Sequence, residues 1–175
     1  MSEIIGTVIA GSNNVFTLEC SDGQVRACSI KGKVIKSDKK FYNPLAPGDI
    51  VTVEPDALDP SKGQILTLSE RKNTFCRWNV KGRCPQLLAS NLDFLVLVTT
   101  PDNPPFRPRF IDRALAQAEH QEIEPVIVCN KCDLIEEMDD EDLDKVEATL
   151  QTWQSLGYKV FVVSAETGEG MEEFA

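Results

Sequence analysis

A small closed β-barrel followed by a parallel α/β sheet is the fold class that this sequence of 175 residues predicts. Three observations predict it. The first seventy residues fall into five short apolar runs punctuated by turn residues. After a connector, longer apolar runs alternate with stretches of helical periodicity. The charge divides along the same line: residues 1–80 hold 9 acidic and 10 basic side chains, a net of +1, whereas 81–175 hold 19 and 8, a net of −11.

In the first part the candidate strands are Ile4–Ala10, Val15–Cys20, Val25–Ser29, Asp49–Glu54 and Gly63–Leu68. Gly11-Ser12-Asn13-Asn14, Ser21-Asp22-Gly23, a long basic loop and the run from Pro55 to Pro60 separate them. Ile50 and Thr52 alternate with Val51 and Val53, so both faces of that strand carry apolar residues. Five such strands suit a closed barrel, because closure removes exposed sheet edges. A five-stranded OB-like barrel over 1–70 is the first reading and an SH3-like barrel the alternative. Residues 71–91 form a basic connector with no clear period and no acidic side chain.

Over 92–175 the pattern becomes strand–helix–strand–helix–strand. Asp93–Thr99, Glu124–Cys129 and Lys159–Val163 are apolar runs of the kind expected for strands buried on both faces. Between the first two, Ile111, Leu115 and Ala118 share a helical face in Arg109–Gln121. Between the second and third, Leu143, Val146, Leu150 and Trp153 do the same in Asp140–Leu156. Asp139 or Asp140 caps that second helix, and the acid at its start suits the positive end of the dipole. Right-handed crossovers then give a parallel sheet.

At 42% hydrophobic and 26% charged, the composition excludes general disorder. No apolar run approaches the roughly 20 residues of a membrane span. The start carries Glu3 and no basic region, so no secretory signal is expected and a cytoplasmic location without membrane contact follows. In a reducing compartment the six cysteines read as packed thiols.

Chemistry concentrates at two strand ends. Asn130-Lys131-Cys132-Asp133 follows the second parallel strand, and Ser164-Ala165-Glu166-Thr167-Gly168 follows the third. Ligands of α/β sheets bind beyond the carboxyl ends of strands. An ionised Asp133 only accepts hydrogen bonds, and guanine offers two donors on one edge, N1–H and the 2-amino group. Adenine has no such pair and would leave the carboxylate desolvated, a cost of roughly 1–3 kcal/mol. Asn130 can address the N7/O6 side of the base or tie the two loops together. The stem of Lys131 can lie over the base plane, and the Ala165 N–H can donate to guanine O6. Ser164 belongs to the same base-binding set.

With these motifs in view, the sequence resembles the circularly permuted ribosome-biogenesis GTPases of the RsgA/YjeQ type. The resemblance runs through the N-terminal barrel, Leu68-Ser69-Glu70-Arg71-Lys72-Asn73 with Arg77, Ala89-Ser90-Asn91-Leu92-Asp93, Asp112-Arg113-Ala114-Leu115, Asn130–Asp133 and Ser164–Gly170. In that family the guanine motifs come straight after an OB barrel and the phosphate loop follows them. The resemblance implies that 92–175 is the first part of a circularly permuted P-loop GTPase domain. It implies an intact protein that is a GTP hydrolase, slow and stimulated by the 30S subunit, and that assists late maturation of that subunit. It further implies GTP or GDP as ligand, 30S ribosomal subunit and 16S rRNA as partners, and Mg2+ and a structural Zn2+ in the intact family member. A monomer is expected. The sequence departs from the family pattern in one respect: it contains no GxxxxGK[ST] and no DxxG magnesium element. It reads as an N-terminal portion, inactive alone, with no catalytic residue of its own.

The remaining features carry weaker signals. Cys129 and Cys132 form a CxxC, and Cys20/Cys28 and Cys76/Cys84 share a spacing of eight. Packed thiols explain these better than metal or redox chemistry. His120 reads as a solvated residue at a helix end. The segment 31–40 carries Lys31, Lys33, Lys36, Lys39 and Lys40 with one acid. Beside an OB barrel, these lysines with Arg71, Lys72 and Arg77, and Lys81 and Arg83 beyond, read as a phosphate-facing surface for RNA. The acid run 136–144 is expected to keep RNA off its side of the second domain. Two rivals are a stand-alone OB-type nucleic-acid-binding module with a structural α/β appendage, and a translation GTPase of conventional motif order. The latter needs a phosphate loop upstream of residue 130, and none is there.

Overall fold

A computed structural model describes residues 3–12, 14–32 and 41–174. The chain forms two compact units, Met1–Leu92 and Asp93–Ala175.

The first unit contains a closed barrel of β1 (Ile4–Ser12), β2 (Val15–Cys20), β3 (Val25–Ile30), β4 (Ile50–Pro55) and β5 (Lys62–Leu68), in the order β1-β2-β3-β5-β4. β1 closes antiparallel on β4, and β3 runs parallel to β5. That parallel pair excludes a plain meander and gives the Greek-key order of an OB-like barrel. Alternate residues point inward, so Val8, Phe16, Leu18, Cys28, Val51, Val53 and Ile65 make the core. Their opposite-parity neighbours Ile5, Val15, Val25 and Ile50 are exposed. Burial pushes the Cys28 thiol up to about 11, so it packs as a neutral hydrophobe. Arg26, itself buried, is held by a two-pronged bond to Asp22 at 2.7 and 2.8 Å. That guanidinium draws the Asp22 carboxyl down to about 2. The pair therefore supports the fold above the ordinary carboxylate range and loses its effect as pH falls toward 2.

Residues 71–91, which show no period in the sequence, contain a hairpin of β6 (Thr74–Asn79) and β7 (Cys84–Ser90). Its alternation is hidden because a register shift falls between Phe75 and Cys76 and because Arg77 and Trp78 both face solvent. The hairpin is fastened to the barrel through Asp49, which is fully buried. Asp49 accepts from Arg71 Nε at 2.6 Å and Nη2 at 2.7 Å, from Ser90 Oγ at 2.5 Å and from the Ala46 N–H at 2.9 Å. The neighbouring Gly48 has φ +89°, and a Cβ there would lie 2.0 Å from the Ser90 carbonyl oxygen. No other residue type fits that approach.

In the second unit β8 (Phe94–Thr99), β9 (Glu124–Cys129) and β10 (Lys159–Val162) form a parallel sheet in the order β10-β9-β8. α1 (Pro108–His120) connects the first pair and α2 (Asp140–Ser155) the second. Ile111, Leu115 and Ala118 are buried from α1, and Val146, Leu150 and Trp153 from α2. Asp139 caps α2 by accepting from the Asp142 N–H at 2.9 Å. The expectation that these strands are buried on both faces is corrected: Phe94 and Val98, on one side of β8, are 58% and 57% exposed. The strand order explains it. Two right-handed crossovers that step the same way put both helices over one face of the sheet. Trp153 Nε1 accordingly donates to Asp112 Oδ1 across the helix pair at 2.9 Å. Among the described residues no helix is long and apolar enough to cross a membrane.

Candidate functional site

The carboxyl ends of β9 and β10 lie side by side. The β9–β10 ladder extends past the strands through Val163 N–H to Cys129 O at 2.9 Å and Cys132 N–H to Val163 O at 3.0 Å. Asn130 N–H also bonds Thr99 O of β8 at 2.9 Å. These bonds hold both loops at the rim of the sheet.

Within that frame Asn130, Lys131, Asp133, Ser164 and Ala165 come together. Asn130 Oδ1 accepts from the Lys131 N–H at 2.8 Å and from the Ala165 N–H at 3.0 Å. Of the two roles expected for Asn130, tying the loops is the one the structure displays, and it occupies the amide that was expected to meet guanine O6. Ser164 is fully buried and donates Oγ–H to Asp133 Oδ1 at 2.5 Å. Its Oγ accepts from the Thr167 N–H at 3.2 Å, and its carbonyl accepts from the Gly168 N–H at 2.8 Å. Ser164 thus positions the carboxylate while staying out of reach itself. Asp133 Oδ2 and Asn130 Nδ2 have no protein partner among the described residues. They leave an acceptor and a donor, both fixed in direction, at the same rim.

Lys131 sits at φ +68° and opens a 3-10 turn, Cys132–Glu137. Its Nζ donates to the Asn103 carbonyl at 2.5 Å. Thr100 Oγ1 bonds Pro104 O at 2.8 Å and braces the loop that presents this carbonyl. The sequence reading missed Asn103, since a main-chain acceptor leaves no side-chain signature.

Burial pushes Cys129 up to about 11, and burial with the nearby Glu169 and Asp133 charges raises Cys132 also. Both are protonated thiols at neutral pH, poorly suited as nucleophiles or metal ligands. Among the described residues no group of three or more His, Cys, Asp or Glu could hold a metal ion.

The expected RNA-facing residues divide. Lys33, Lys36, Lys39 and Lys40 lie outside the described residues. Lys31 is half exposed and paired with Glu54 Oε2 at 2.7 Å. Lys72 and Arg77 are exposed, Arg77 Nε donating to Gln86 Oε1 at 3.0 Å, and Lys81 and Arg83 stand at the hairpin turn. Arg71 differs from the expectation: it is 11% exposed, bound to Asp49 and the Pro44 carbonyl, with its guanidinium over the Phe41 ring. It holds the fold together and offers no face to a phosphate.

An OB-like barrel followed by a parallel sheet with Asn-Lys-x-Asp and Ser-Ala loops at adjacent strand ends is the architecture of a circularly permuted GTPase. A family model described as RsgA GTPase matches residues 68–175. The small ribosomal subunit biogenesis GTPase RsgA of Borrelia recurrentis (strain A1) is 36% identical over 168 residues, covering 95% of this chain and 51% of the relative. The protein of that description from Flavobacterium psychrophilum is 36% identical over 170 residues, covering 96% and 51%. The crystal structure of YjeQ from Thermotoga maritima matches with a TM-score of 0.70 and 30% identity, over 99% of this chain and 56% of that one. YloQ, described as a circularly permuted GTPase, matches in fold with a TM-score of 0.62 at 24% identity. The chain belongs to the RsgA GTPase family. It spans about half the length of the curated relatives it matches.

Proposed function

We propose that this chain carries the guanine-recognition and RNA-contacting parts of a ribosome-biogenesis GTPase. The intact protein would hydrolyse GTP slowly in the cytoplasm, as a monomer, when engaged with the 30S subunit and its 16S rRNA. The observation that carries the reading is Asp133. Its carboxylate is held by Ser164 through one oxygen and leaves the other open at the rim, with Asn130 beside it. An acceptor so placed suits the two donors on the guanine edge and penalises adenine. The residues that position phosphates and magnesium in phosphoryl transfer are absent from the motifs of this chain. The chain alone is therefore expected to bind GDP weakly, to prefer it over ADP, and to show no GTP turnover. Titration calorimetry with GDP and ADP checks the preference, and a phosphate-release assay with magnesium checks turnover. Equal affinity for ADP, or magnesium-dependent turnover, would overturn the reading.

The RNA part rests on the basic segment 31–40 and on Lys72, Arg77, Lys81 and Arg83. Binding to 30S subunits is expected to weaken steeply with salt. Replacing Lys31, Lys33, Lys36, Lys39 and Lys40 by Ala should lower the affinity. It should also reduce the slope of log K against log salt by roughly 0.7–0.9 for each phosphate that is no longer neutralised. An unchanged slope would make the segment an ordinary solvated loop.

A further inference from the structure

We propose that Cys20 is a peroxide-reactive thiol whose sulfenic acid is received by the unpartnered Nε–H of Arg26 inside one end of the barrel. The inference stands apart from the guanine and RNA readings. Every group it uses lies on β1, β2, β3 or the turn between the last two.

The strand register brings the two residues together. Leu18 on β2 faces Arg26 on β3, and both side chains are buried. Cys20 follows Leu18 by two residues, so it shares the inward face and is the diagonal neighbour of Arg26, within reach of a long side chain. Its Sγ lies over Gly6, its partner on β1, where a Cβ would stand 3.4 Å away. Arg26 extends past this level to the turn. Its Nη1 and Nη2 donate to Asp22 at 2.8 and 2.7 Å, and Nη2 also donates to Gln24 Oε1 at 3.2 Å. With the tip of the guanidinium fixed beyond Cys20, Nε is carried to the level of the sulfur.

That Nε has no hydrogen-bond partner, although Arg26 is only 3% exposed. Among the described residues it is the one buried side-chain nitrogen or oxygen left in this state. A buried donor without an acceptor is costly, and native folds leave few of them. The guanidinium is held above its ordinary range first by Asp22 and next by the Cys20 thiol, which is therefore close by. Sulfur is a weak acceptor, however, and leaves the N–H unsatisfied. One oxygen atom added to that sulfur supplies the acceptor that is missing.

Hydrogen peroxide can deliver it. The sulfur attacks one peroxide oxygen, and an S–O bond forms as the O–O bond breaks. The departing hydroxide takes the thiol proton and leaves as water. Sulfur loses two electrons and peroxide gains them, so Cys20–SH and H2O2 give Cys20–SOH and H2O. The guanidinium stabilises the negative charge that builds on the departing oxygen, then donates to the oxygen that stays. At 7% exposure the thiol admits a small oxidant and little else. Cys28 is placed too far away to consume the product. It faces Phe16, four residues from Cys20 along β2. That is about 13 Å of strand, beyond the Cα separation of about 7 Å that a disulfide spans.

The test treats the full chain with hydrogen peroxide and dimedone, which traps sulfenic acids, and maps the adducts by mass spectrometry, both in the native state and in urea. Cys76, Cys84 and Cys132 are less buried than Cys20, so accessibility alone would have them labelled first. Cys20 is expected to label about tenfold faster than any of them in the native chain and to lose that lead in urea. Arg26→Met should slow Cys20 labelling about tenfold, whereas a merely loosened barrel would speed it. If Arg26→Met does not fold, the ranking in the parent chain decides. Native labelling of Cys20 that is no faster than in urea, or no faster than that of the less buried thiols, overturns the proposal and leaves Arg26 and Asp22 as a structural pair. Unchanged labelling in a folded Arg26→Met variant overturns it as well.

Discussion

Asp133→Asn is expected to lower GDP affinity about tenfold to a hundredfold and to raise affinity for xanthosine diphosphate. The direction follows from Ser164. Its Oγ–H donates to one oxygen of residue 133 and stays buried. An asparagine there will turn its carbonyl oxygen toward that donor, which points its amide N–H2 at the base. Facing guanine, the amide meets the donors N1–H and the 2-amino group, and leaving donors of this kind without an acceptor costs about 1–3 kcal/mol. Facing xanthine, it meets the 2-oxo acceptor. Calorimetry with both diphosphates reads the exchange, and unchanged GDP affinity would remove Asp133 from the base contact. Ser164→Ala should weaken GDP binding without creating the preference for xanthine, because the carboxylate loses its brace but keeps its chemistry.

Asp49→Ala is expected to destabilise the first unit by about 3–5 kcal/mol, the penalty for breaking one side of a buried ion pair. Arg71 would keep its charge at 11% exposure with the Pro44 carbonyl and the Phe41 ring as its remaining partners, and Ser90 and the Ala46 N–H would each lose an acceptor. Urea unfolding should show a lower midpoint with an unchanged slope. Replacing both members, Asp49→Leu with Arg71→Met, should cost markedly less than Asp49→Ala alone, since no charge is then stranded. A loss below about 1 kcal/mol for Asp49→Ala would mean that water reaches the guanidinium and substitutes for the carboxylate.

These two residues also mark where the sequence was readable and where it was not. The barrel strands and the α/β alternation were legible because burial imposes a period on side chains, and the observed strand limits differ from the sequence-derived ones by a residue or two. The pairing of the Asn130 and Ser164 loops was legible because topology brings consecutive parallel strand ends together. Asp49 and Arg71 lie 22 residues apart, and nothing local distinguishes a buried arginine from a solvated one in a basic run. Arg71 was therefore grouped with Lys72 and Arg77, and its true partner depended on a closure that brings a loop, a strand end and a hairpin to one point. The hairpin was hidden by its register shift, and Asn103 by acting through its main chain. The uncovered face of the sheet was lost for another reason: an apolar run reports that a strand is apolar, whereas coverage depends on the direction of successive crossovers.

The tie through Asn130 bears on how a ligand would arrive. A single side-chain oxygen joins the loop after β9 to the loop after β10 within the protein itself, with no base required to bridge them. The loss of backbone freedom, about 1–2 kcal/mol for each residue fixed, is thus met when the unit folds and is not charged again at each encounter. A base that binds at this rim would meet groups already aimed. Capture is then expected to proceed at the pace of collision and correct orientation, with differences in affinity between bases appearing in how long each one stays.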